Sequence, residues 1–142
     1  MPVLIQITLG SGILLLCTLL HTWLLSRLTR YLQRKSTPAA HGPQRPRFTQ
    51  ISFVVLALLG SHTVQVYLWA LSVILVGALQ GYEEPIYFAL VTYTTLGYGD
   101  VTLASDFRIF GAMAAVTGTV SFGLSTAFLV GYFARSIGAG QD

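Results

Sequence analysis

The sequence predicts an all-α membrane protein with three transmembrane helices and a short re-entrant helix and loop between the second and third. Three observations predict it. The 142 residues are 54% hydrophobic and only 9% charged, where a soluble domain carries about a quarter charged residues. Residues 3–25, 51–79 and 109–134 contain no Asp, Glu, Lys or Arg, and each run exceeds the roughly 20 residues that a helix needs to cross the hydrocarbon core. A fourth apolar piece, residues 86–95, is too short to span, and it leads into "TTLGYGD", residues 94–100, which suits neither a helix nor a strand.

Charge segregation orients the spans. Arg27, Arg30, Arg34, Lys35, Arg45 and Arg47 lie together with no acid among them, whereas Glu83, Glu84, Asp100 and Asp106 lie between 83 and 106. Short basic loops stay in the cytoplasm. The first helix, 1–26, therefore runs inward, and 27–50 is a basic cytoplasmic linker. An outer helix, 51–80, returns, and a third, 108–134, leads to Arg135 and a short cytoplasmic tail, 136–142. The expectation is a multi-pass protein of the plasma (inner) membrane with its N-terminus outside and C-terminus cytoplasmic. A cleaved signal peptide is disfavoured because residues 3–25 lack a basic leading region and a small-residue cleavage site before Arg27.

The linker stretch "KSTPAAHGPQRPRF" carries three prolines and a glycine and reads as an irregular connector. Just before it, "RLTRYLQRK" sets Arg27, Arg30 and Arg34 at helical spacing. A voltage sensor also repeats arginines, but within a span. Here they follow one, so anionic lipid headgroups are the expected partner, not nucleic acid.

Irregular backbone at membrane depth persists only where protein or a water-filled cavity covers it, so residues 95–99 are expected to line an aqueous path. Gly97 and Gly99, alternating with Leu96 and Tyr98, allow successive carbonyls to point one way. Oxygens so aligned can replace the water shell of a dehydrated cation, and Thr95 adds a hydroxyl. The helix over 85–94 fits this placement. Pro85 suits a first turn, Glu83 and Glu84 complement the positive end of its dipole, and its negative end points at the membrane centre. Tyr87, Phe88 and Tyr93 supply bulk to wedge the loop.

These residues resemble the selectivity filter of potassium channels, whose pattern is T-x-G-Y-G-D. The resemblance covers roughly residues 50–135, a two-helix pore module, and "GTVSFGLSTAF", 118–128, is similar to the inner helix of prokaryotic members. It does not obviously cover the first 47 residues. By this resemblance Thr95, Leu96, Gly97, Tyr98 and Gly99 coordinate K⁺, the permeant ion, and no cofactor is implied. Thr94, Tyr87, Phe88 and Asp100 support the filter. Val91 stands where some relatives carry a buried glutamate paired with the filter aspartate, so that pair is absent. Thr119, Phe122, Thr126 and Val130 share an inner-helix face that the resemblance assigns to the cavity and gate, with Gly118 and Gly123 as hinges; the alternative for both glycines is close helix packing.

One filter strand cannot surround an ion, so four copies are implied: a homotetrameric, potassium-selective channel conducting passively. The competing readings are a potassium-uptake transporter subunit and a non-conducting or regulatory pore-like subunit. An enzyme is not expected, since there is no Ser/His/Asp or Cys/His constellation and no phosphate loop. Among the remaining polar residues, His62 and Gln65 share one side of the second span with Trp69 and are expected to bond across helices, with Ser11, Thr18 or His21 as partners. His21 and Trp23 read as an interfacial anchor. The first helix is expected to pack outside the outer helix through Gly10, Ser11 and Gly12.

Overall fold

A computed structural model describes residues 1–35 and 48–138. Four α-helices and one short 3₁₀ turn follow in order: α1 (Val3–Lys35), α2 (Phe48–Leu75), α3 (Glu83–Tyr93), the turn Ser105–Phe107, and α4 (Arg108–Gly138). No strand occurs among the described residues. α1, α2 and the segment Ser105–Ala134 are each long and apolar enough to cross a membrane.

The helix ends differ from the sequence expectation for local reasons. α1 runs on through Arg27, Arg30 and Arg34 to Lys35, because 27–35 consists largely of good helix formers with neither glycine nor proline. The expected linker thus starts as helix, and residues 36–47 lie outside the described residues. α2 stops at Leu75, short of the expected residue 80. Gly77 takes φ +74°, the Gly77 amide bonds the Ile74 carbonyl at 2.9 Å and the Ala78 amide bonds that of Val73 at 3.0 Å. This is a Schellman termination, which a left-handed glycine permits. α3 opens at Glu83, so both glutamates sit in its first turn, with Pro85 third. α4 continues to Gly138, into the expected tail; residues 139–142 lie outside the description.

α1 does not pack outside α2 as the small residues suggested; it lies chiefly along α4. Its buried residues Gln6, Gly10, Cys17, His21 and Leu28 follow a four-then-seven spacing, the narrow seam of a helix packed along another. Gly10 lets the Met113 thioether lie against the α1 backbone, and a Cβ there would make that side chain shift, whereas Gly12 has nothing near it. The two helices start at the same end. Gln6 Oε1 accepts from the amides of Ile109 (3.2 Å) and Phe110 (3.3 Å), two first-turn donors of α4 that have no partner within their own helix. Gln6→Ala is expected to cost about 1 kcal/mol, or about 2–4 °C in Tm, as loss of a cap does; a thermal melt in detergent reads this directly.

Two apolar clusters hold the bundle. Cys17, Val66, Trp69, Val73, Phe88, Ala89, Tyr93, Phe110 and Ala114 join all four helices. Leu28, Val54 and Leu58, with Phe128 and Leu129 against them, close the other end of α1, α2 and α4. The remaining large apolar side chains, such as Leu19 at 67% and Leu56 at 67% exposure, face outward, as helices solvated by lipid do.

Candidate functional site

α3 ends inside the bundle. The Tyr93 carbonyl lies directly over Gly118, where any Cβ would collide with it. Gly118 is ten residues into α4, or about 15 Å at ~1.5 Å per residue. That is half of a ~30 Å hydrocarbon core. The negative end of the α3 dipole therefore points to mid-depth. The requirement for glycine at 118 is this close approach, and α4 is continuous through both Gly118 and Gly123, with nothing near Gly123.

From there residues 94–100 turn back. Thr95, Gly97 and Gly99 have φ of 60°, 60° and 80°, and Leu96 and Tyr98 between them do not share the positive sign. Alternation of this kind can turn successive carbonyls toward one side, as the glycines permit. The amides at the base are occupied: Thr95 N–H bonds the Thr92 carbonyl at 3.0 Å, and Leu96 and Gly97 N–H both bond that of Val91, at 3.0 and 3.2 Å. Among the described residues, no carbonyl from Thr95 to Gly99 accepts a hydrogen bond. The Thr95 hydroxyl donates to the Thr94 carbonyl at 2.6 Å, which leaves its oxygen as an acceptor. The Thr94 hydroxyl donates to Leu90 at 2.8 Å. From Thr95 to Gly99 the loop thus presents oxygens and no charged side chain.

Tyr87 and Asp100 brace the far end. The Tyr87 hydroxyl donates to Asp100 Oδ2 at 2.5 Å, and Asp100 Oδ1 accepts the Val101 amide at 3.0 Å. Phe88 is buried between Leu103 and Gly111. The Tyr87 hydroxyl, with help from the Val101 amide, holds the Asp100 carboxyl below the usual carboxylate range, and the same bond pushes the Tyr87 phenol up. For Asp100 the stabilisation is complete above its ordinary value and lost as pH falls through the lower folded one. For Tyr87 it is complete below the ordinary phenol value and lost as pH rises through the higher folded one. Tyr87→Phe returns the carboxyl toward its ordinary value, so the variant is expected to have a lower Tm at neutral pH and to lose less of it on acidification than the wild type. Identical acid limbs would dissociate Tyr87 from Asp100.

The α4 face expected to line a cavity is open in the single chain: Thr119, Thr126 and Val130 are exposed. The Thr119 hydroxyl donates to the Ala115 carbonyl at 2.9 Å and retains its acceptor capacity. Phe122 is 39% exposed and borders this face, its ring against His62 and Tyr93 at centroid distances of 4.6 and 5.5 Å.

His62 and Gln65 do bond across helices, to Tyr93 and Ser125 and to Ser121 respectively. Of their expected α1 partners only His21 takes part. Thr18 leaves its hydroxyl unpartnered. His21 is no interfacial anchor: it is fully buried and bonds Ser61 and Ser125. Sequence reading missed Ser61, Ser121 and Ser125, although the four-residue spacings of 61/65 and 121/125 mark polar seams. Trp23 stays exposed, with the Arg27 guanidinium 5.1 Å above its ring.

The loop itself is uncovered. Leu96 is 56% and Tyr98 69% exposed, at a depth where lipid cannot satisfy bare carbonyls. Comparison with curated proteins and with solved structures found no significant match. The ion channel family matches residues 53–135, which takes in α3, the loop and nearly all of α2 and α4. An α-helical bundle whose short third helix and irregular loop stop at mid-depth, matched over more than half its length, belongs to the ion channel family.

Proposed function

We propose that the protein is a homotetrameric, potassium-selective channel that conducts K⁺ passively through residues 95–99. The observation that carries this reading is the run of hydrogen-bond-free carbonyls on a backbone of alternating φ sign, with the Thr95 oxygen at its base. A ring of such oxygens, one strand from each of four chains, replaces the hydration shell of K⁺. A single strand cannot, and exposed backbone at mid-depth calls for protein cover. The four α3 helices then direct their negative ends at the axis, where an ion pauses between cavity and loop.

In this arrangement Thr119, Thr126 and Phe122 line the cavity below the loop, and Val130, 62% exposed in the single chain, forms an apolar ring that closes by dewetting. The end that carries Arg27, Arg30 and Arg34 lies in the cytoplasm, beside anionic headgroups. Asp100, Glu83 and Glu84 then stand at the outer mouth and concentrate cations there.

Purified protein reconstituted into potassium-loaded liposomes tests this. A K⁺ gradient is expected to set the membrane potential, and an equal Na⁺ gradient is not. Equal permeation of the two ions, or none, sinks the reading, as does cross-linking that never reaches four chains.

A further inference from the structure

One polar chain, buried at His21, Gln65 and Ser121 and half-buried at His62, runs from α1, which lies outside the family-matched segment, to the helix from which the loop hangs. Ser121 donates to Gln65 Oε1 at 2.8 Å, so the Gln65 amide nitrogen faces His21 Nδ1, at 3.4 Å. Ser61 Oγ is also 2.9 Å from that nitrogen. The Gln65 amide nitrogen can only donate, so Nδ1 is the acceptor and the ring proton sits on Nε2. His21 Nε2–H then donates to Ser125 Oγ at 3.0 Å. The Ser125 hydroxyl in turn donates to His62 Nε2, also at 3.0 Å. That leaves the His62 proton on Nδ1, donated to Tyr93 Oη at 2.9 Å. Each link supplies one proton in one direction, and both imidazoles stay neutral.

The chain ends at a consequential place. Tyr93 is the last residue of α3. Its carbonyl rests on Gly118, and the next carbonyls back, Val91 and Thr92, hold the amides of residues 95–97. A small displacement of this turn moves every oxygen above it.

We propose that His21 is a positioning residue for the conducting loop, acting through Ser125 and His62 on Tyr93, so that α1 is a working part of the pore and not an added anchor. The proposal rests on the channel reading above for its functional half. Its structural half is that the chain holds the 93–97 turn.

The test compares His21→Phe, which keeps bulk and removes both ring nitrogens, with Tyr93→Phe, which removes one hydroxyl and is the variant to rely on if the first fails to fold. Leu28→Ala is the control. It loosens the same helix in the other apolar cluster and leaves the polar chain intact. Two readouts are taken: the K⁺/Na⁺ permeability ratio in liposomes, and amide hydrogen exchange over residues 91–100 in intact protein. Both His21→Phe and Tyr93→Phe are expected to lower the ratio and speed exchange by about fivefold, the effect of one net hydrogen bond. The double variant is expected to be no worse than the worse single one, as for members of one network. Leu28→Ala is expected to lower Tm and change neither readout.

The proposal is overturned if His21→Phe folds with unchanged exchange, if Leu28→Ala shifts both readouts equally, or if the effects of the two aromatic substitutions multiply. Wild-type protein without K⁺ selectivity would refute the channel reading alone. Exchange at residues 91–100 would still decide whether His21 holds the turn.

Discussion

Alanine at Gly97 or Gly99 is expected to abolish potassium-selective flux while the helices remain folded. Both glycines are left-handed, at φ 60° and 80°. No side-chain neighbour blocks a Cβ within the protomer; the nearest atom to one on Gly97 is the Thr95 carbonyl oxygen at 3.9 Å. The penalty is therefore torsional, about 1–2 kcal/mol per residue. In the proposed tetramer four copies bring it to about 4–8 kcal/mol, which would disfavour the conducting backbone by roughly a thousandfold or more. Gly81 provides the control. It has φ 75° and open space around it, but it lies in the α2–α3 connection. Gly81→Ala carries the same strain per chain and is expected to lower Tm without changing the K⁺/Na⁺ ratio. If Gly97→Ala still discriminates between the two ions, aligned carbonyls do not select them.

The largest stability effect is expected at Gly118. A Cβ there meets the Tyr93 carbonyl oxygen, and that carbonyl cannot retreat because the last turn of α3 carries the loop. The neighbouring Tyr93 Cδ1, at 3.2 Å, could yield, but the backbone cannot. Gly118→Ala is expected to cost about 3 kcal/mol or more, at or beyond the upper range for overpacking, and the assembled protein is expected to be depleted on size-exclusion chromatography. Gly123→Ala faces open space and gains about 1 kcal/mol of helix propensity, so its melt should equal or exceed that of the parent. A wild-type melt for Gly118→Ala would mean that α3 and α4 do not approach as described. The pair also separates two uses of glycine on one helix: the contact at 118 demands glycine whether or not the helix bends.

Much of this architecture is legible in the chain. Charge-free runs longer than a bilayer is thick dictate three spans, since lipid offers backbone groups no alternative partner. Pro85 after two glutamates marks the start of α3 to within two residues. The glycine alternation in "TTLGYGD" marks the irregular loop by local sterics alone. The less legible features depend on distant partners. His21 reads as an anchor because its position near a span end is local information, whereas its burial comes from Ser61 and Ser125, 40 and 104 residues away. Gln6 looks like an isolated polar residue until α4 brings two unpaired amides to it.

By itself the sequence determined the number of spans, the re-entrant loop and the residues with freedom to take positive φ, because hydropathy and backbone sterics act within a few residues. Only the tertiary structure decided that α1 lies along α4, that Gly118 seats the Tyr93 carbonyl, and that a hydrogen-bonded chain links His21 to Tyr93 at the end of α3. In lipid the apolar surface of one helix is as well solvated as another's, so hydropathy cannot choose neighbours. Small residues and buried polar groups choose them, and their partners are revealed only when the helices meet.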